Sequence, residues 1–117
     1  MVTDGLVVVF ERHVRRGISA LTAIGYTPRT FIHLVEEHGA VGATRRLVLD
    51  PAPSYGLWRL MELGQIGRSV ELATLFPWYE PLFDDVVRDA AWRKLELLGV
   101  DVPAVVALGE DPLLAGA

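Results

Sequence analysis

The chain has 117 residues and a mass of 12.9 kDa, with 51% hydrophobic residues, 22% charged residues and a mean hydropathy of +0.33; this allows one hydrophobic core and excludes a disordered, collagen-like or low-complexity chain. It contains no cysteine, which closes disulfide, thiol, iron–sulfur and cysteine–zinc chemistry within the chain, and apolar runs such as Leu6 to Phe10 are far shorter than the roughly 18 to 20 residues of a membrane span. The net charge of −4 is uneven, with seven Arg against five acids in residues 1–59 and four bases against ten acids in 60–117; such asymmetry suits either a nucleic acid steered to one surface or attraction between different ends of separate copies.

In chain order, Val7, Phe10, Val14, Ile18 and Leu21 step by three or four, and Glu11, Arg12, Arg15 and Arg16 fall elsewhere on the wheel, which predicts an amphipathic helix over 5–24. Asp4 is placed to cap it and Gly25 to end it, while Val7, Val8 and Val9 give a competing strand signal. Thr27 and Pro28 predict the cap and first turn of a second helix, closed by Gly39, and Val41 to Val48 predicts a short third helix stopped by Asp50, Pro51 and Pro53. Ser54 starts a fourth, with Leu57, Trp58, Leu60 and Met61 facing the core and Gly64 as its stop. Ser69 caps a short segment in which Glu71 suits the positive end of the helix dipole. Pro77 ends it. Asp84 or Asp85 begins a longer helix with Val87, Ala91, Leu95 and Leu98 at helical spacing before Gly99, and Asp101 with Pro103 starts a last turn or two.

The chemistry-bearing residues form no coherent catalytic, cofactor or metal constellation. His33 and Glu37 are one helical turn apart, the spacing a small metal-dependent hydrolase would use, but His33 and His38 are about 140° apart around the wheel and make no His-Glu-x-x-His pattern. The serines lie in no nucleophile elbow, and Gly39, Gly42, Gly64 and Gly67 make no phosphate-binding loop. Asp84 and Asp85 read as capping residues rather than a paired-carboxylate site.

Two binding readings remain. The predicted third and fourth helices, joined by Asp50-Pro51-Ala52-Pro53, have the punctuation of a helix-turn-helix, with Arg45, Arg46, Arg59 and Arg68 as phosphate contacts. The second of these helices, however, offers only Arg59 for base-edge contact in an otherwise core-like sequence. The other reading is protein interaction. The wide apolar face of the first helix, including Phe10, Val14 and Ile18, is one contact element, and Trp78-Tyr79, held between Pro77 and Pro81, is a rigid aromatic anchor unless both rings turn inward.

His38-Gly39-Ala40-Val41, Arg45-Arg46-Leu47, Leu60-Met61-Glu62-Leu63-Gly64, Val70-Glu71-Leu72, Leu82-Phe83 and Arg93-Lys94-Leu95 follow in an order that resembles a small helical module of uncharacterised bacterial proteins, sometimes appended to nucleases or other defence-related enzymes. The resemblance runs from Phe31 to Gly99, departs at Gly67-Arg68-Ser69 and supplies no catalytic residue. It implies a bacterial setting and leaves the first helix free for a partner.

These readings together predict an all-α single compact domain of five to seven short helices. Phe31, Leu47, Leu60, Phe83, Leu95 and Leu98 form its core. Residues 1–26 are an N-terminal contact helix, 27–108 the helical core module and 109–117 a frayed tail. The expected function is a non-catalytic protein-interaction module, self-associating or docking onto a larger protein, with DNA binding as the alternative. No cofactor is expected. With Asp4 and Glu11 near the start and no small-residue cleavage pattern, the expected location is the cytoplasm.

Overall fold

The valine run at the start of the chain is helical, and helical spacing gathers Leu6, Phe10, Val14 and Leu21 on one buried face. In the computed structural model, which describes residues 2–52 and 55–112, this helix α1 spans Val2–Ala23. It ends as the sequence predicts. Gly25 takes φ 93°, its N–H reaches the Thr22 carbonyl at 3.0 Å, and the Tyr26 N–H reaches Leu21 at 2.9 Å. This paired reach-back satisfies the last carbonyls of a helix and needs a residue without Cβ strain at the left-handed position. The same pairing closes two later helices at Gly64 and Gly99.

The second and third predicted helices form one element, α2, Arg29–Leu49, bent at Gly39 (φ 74°, ψ 171°). Gly39 therefore breaks the helical geometry as expected without ending the element. Glu11 of α1 braces the bend, its Oε1 accepting the Ala40 N–H at 3.4 Å. Thr27 does not cap α2: Pro28 holds the cap position, with no side-chain hydrogen bond there. Helix α3 is Tyr55–Glu62, and the Ser54 cap expected for it lies outside the described residues. A 3-10 turn, Ile66–Arg68, leads to α4, Val70–Ala73; a longer 3-10 turn, Pro77–Leu82, leads to α5, Asp85–Leu97; and α6 is Val102–Ala107. Ser69, Asp84 and Asp101 cap α4, α5 and α6 by accepting the N–H groups of Leu72 (3.1 Å), Val87 (3.1 Å) and Ala104 (3.3 Å).

The fold is all-α, with no strand among the described residues, and its Cα radius of gyration of 13.2 Å is that of one compact domain. Helix α1 lies across α2 and the Pro77–Leu82 turn, and α5 packs on α2 and α4. Phe10 sits at the centre, edge-on to Tyr79 at 4.9 Å and to Phe83 at 5.2 Å. Two long side chains tie α5 in place: Lys94 donates to the Leu47 carbonyl at 3.0 Å and Arg88 to the Thr74 carbonyl at 3.2 Å.

Packing corrects several expectations. Helix α1 belongs to the same core as residues 27–108, since Phe10 and Val14 are buried against the rest of the chain. Phe31, Leu60, Phe83 and Leu95 are core as expected, whereas Leu47 and Leu98 are half-buried. Trp58, assigned to the core, is 51% exposed. The short α3 buries one stripe, Leu57 and Leu60, and the residue after Leu57 is turned about 100° away from it. Of the tail expected to fray from residue 109, Gly109 is half-buried against the Phe76 ring, and residues 113–117 lie outside the described residues.

Candidate functional site

A cavity of about 410 Å³ opens to solvent between the second half of α1, the start of α2, and α3 and α4. Its walls are apolar, built from Val14, Ile18 and Leu21 of α1, Phe31 of α2, and Leu57 and Leu60 of α3. Two glycines within helices also line it. Gly17 lies in the middle of α1 and Gly56 in the first turn of α3, and neither has the positive φ that would require glycine. A Cβ at Gly17 would meet only the Arg68 carbonyl, at 3.9 Å, and one at Gly56 only the Tyr26 hydroxyl, at 3.5 Å. Both are ordinary contacts, so neither crowding nor backbone geometry accounts for these glycines. A mid-helix glycine costs roughly 0.5–1 kcal/mol relative to alanine, and here the missing side chains leave the cavity open.

The polar groups divide between wall and lip. Glu71 lines the wall at 2% exposure. Burial, then the nearby Tyr55, hold the Tyr26 phenol above its ordinary pKa, with Arg59 opposing and Glu71 reinforcing the shift. At the lip stand Arg29 and Arg68, both exposed, and Tyr55, which is 75% exposed. The site is thus an apolar groove with cationic and aromatic edges.

One end of the groove reaches His13, whose Nδ1 lies 3.2 Å from the Tyr79 hydroxyl. The imidazole is parallel to Phe10 at 6.1 Å and edge-on to Tyr79 at 5.4 Å. Burial, aided by Arg16, lowers the His13 pKa, and burial, reinforced by Asp111 and opposed by Arg16, raises that of Tyr79 to about 12. The pair is therefore neutral near pH 7, one ring donating a single proton to the other.

The structure separates the sequence-designated contact residues. Phe10 and Tyr79 are buried in the core, at 0% exposure, while Val14, also buried, lines the groove. Ile18 is half-buried and lines the groove, and Trp78 is half-buried, stacked on Phe76 at 4.7 Å. Of the arginines considered for nucleic acid, Arg45 lies 3.9 Å from Asp84, Arg59 lies 3.7 Å from Glu62, and Arg68 donates to Gln65 at 3.0 Å; Arg46 is exposed. His33 pairs with Glu36 at 3.6 Å rather than with Glu37, which meets His38 at 3.5 Å. Among the described residues no cluster of three metal-ligating side chains occurs, and no helix is long and apolar enough to cross a membrane. Sequence reasoning missed Gly17, Gly56, Tyr26, His13 and the burial of Glu71. The one signal available was glycine inside helical stretches with no turn to make, and Gly5 and Gly42 carry the same signal without lining the cavity.

No family model, curated protein or solved structure matches the chain.

Proposed function

We propose that the chain is a non-catalytic protein-interaction module whose groove receives the apolar side chains of a helical segment with acidic flanks. The observation that carries this reading is the pair of helical glycines, Gly17 and Gly56, facing the same apolar cavity. Helix-in-groove recognition needs such a trough, with anchors three or four residues apart on the ligand. The acidic flanks follow from Arg29 and Arg68 at the lip, since complementary charge at the rim speeds encounter and selects partners. Tyr55, large and exposed, is the type of residue that carries binding energy at an interface.

The duplex-binding alternative has less support, because Arg45 and Arg59 lie beside the Asp84 and Glu62 carboxylates of the chain itself. The test is selection from a displayed library of helical peptides on the intact chain. Enriched peptides should compete with one another and weaken by about tenfold or more on Gly17→Leu, the loss of roughly 1.4 kcal/mol expected when one anchor loses its space. Failure to enrich any helical peptide, or enrichment of peptides indifferent to Gly17→Leu, overturns the reading.

A further inference from the structure

Helix α5 buries Val87, Ala91 and Leu95 completely, and that stripe satisfies its place in the core. Its opposite side carries Val86, Arg93 and Leu97, at steps of seven and four, with the half-buried Ala90 between the first two. Val86 is 67% and Leu97 86% exposed. A helix in contact with water on that side gains nothing from large aliphatic residues there, and this spacing is the one by which a helix places anchors in a groove.

The charges beside this stripe are also selective. Arg88 and Lys94 turn inward, to the Thr74 and Leu47 carbonyls, so the outer side of α5 is left with Asp85, Asp89 and Glu96 against Arg93 alone. The groove lip has the opposite sign, with Arg29 and Arg68. The groove lip and the outer side of α5 are thus opposite in sign.

We propose that the outer face of α5 of a second copy is the segment the groove receives; this rests on the groove reading above. The groove and the stripe share no residue, so the contact is head to tail, each copy offering one groove and one α5 face. Such heterologous contacts extend into chains or close into rings, unlike a two-fold dimer in which one patch meets itself. Opposite charges at the rim make association sensitive to salt.

Sedimentation equilibrium of the full chain tests this, from about 10 μM to about 1 mM, the range over which weak complexes form. The mass should rise above 12.9 kDa with concentration, and association should weaken several-fold when salt is raised from about 50 to about 500 mM. Gly17→Leu, which fills the groove, and Leu97→Asp, which charges the α5 face, should each remain monomeric. Mixed in equal amounts they should form a pair of chains and nothing larger, since only one intact groove and one intact α5 face remain between them. Tyr55→Ala, a change at an exposed lip residue, is the second groove variant and should weaken association without lowering the melting temperature. A wild type monomeric throughout, single variants that associate like wild type, or a mixture that stays monomeric overturns the proposal. If the wild type is monomeric while selected peptides still bind in a Gly17-dependent way, the second-copy proposal falls and the groove reading stands; if neither is seen, both fall.

Discussion

Replacing Tyr79 by Phe removes one oxygen from a ring that is 0% exposed and leaves its edge contact with Phe10 in place. At neutral pH the loss is the bond to His13 Nδ1 at 3.2 Å, about 1–2 kcal/mol including the polar group it leaves behind. The larger consequence appears in alkali. An unfolded phenol ionises near pH 10, but burial, with the Asp111 carboxylate adding to it and Arg16 opposing, keeps Tyr79 protonated to about 12. The stabilisation is therefore fully present below pH 10 and lost as pH rises from 10 to about 12, because over that window the unfolded chain has released a proton that the folded chain retains. The slope is about 1.4 kcal/mol per pH unit and the total on the order of 2–3 kcal/mol. Tyr26, also raised, contributes its own alkaline loss to both proteins. Urea unfolding followed by circular dichroism between pH 7 and 12 should give Tyr79→Phe the lower stability at pH 7 and the shallower decline above pH 10. Parallel declines for the two proteins would refute the assignment of Tyr79 to a site that suppresses its ionisation.

Gly109→Ala should lower stability by about 1–3 kcal/mol, read from its melting temperature, since its Cβ would enter the Phe76 ring and force the Phe76–Trp78 stack to shift. Trp58→Ser should change stability by no more than about 0.5 kcal/mol, and a loss above about 2 kcal/mol in urea unfolding would mean that the indole packs. Burial and Arg16 depress the His13 pKa, so its contribution is present above pH 6.5 and lost as pH falls below that value; in acid unfolding titrations His13→Gln should remove this part of the decline. Gly17→Ala should raise the unfolding free energy by roughly 0.5–1 kcal/mol while weakening groove binding, a combination checked by melts and peptide titration together.

The helix ends were legible because their chemistry is local. Ser69, Asp84 and Asp101 accept N–H groups three residues ahead, and Gly25, Gly64 and Gly99 take positive φ, each within reach of its own sequence neighbours. The continuity of α2 was not legible, since the brace at its bend comes from Glu11, 29 residues away. Periodicity groups residues onto a face without saying which face another element will meet. Trp58 and Tyr79 show this in opposite directions. Trp58 follows helical neighbours that are buried yet points to solvent; Tyr79 lies in a proline-bounded turn suited to display, yet α1 lies across that turn and buries it beside Phe10. Glu71 lies in the first turn of its helix as its sequence position suggests, but its 2% exposure depends on tertiary packing that the local sequence does not encode.

The groove was the least legible feature because it is made of residues with nothing to say about chemistry. Composition treats Gly17 and Gly56 as two of eleven glycines, and a helix pattern treats each as a small fault. Their meaning depends on two helices distant in sequence lining one cavity with both bare positions. Alanine would fit at Gly17 without a clash and would strengthen α1, so stability alone favours alanine there. The groove reading supplies the functional side of a trade between stability and function. The same logic applies to Val86 and Leu97, exposed aliphatic residues on a helix whose core contacts are already complete. Neither the bare trough nor the greasy outer stripe improves the isolated fold. Each acquires a physical reason only when a trough is set against a stripe of the opposite charge.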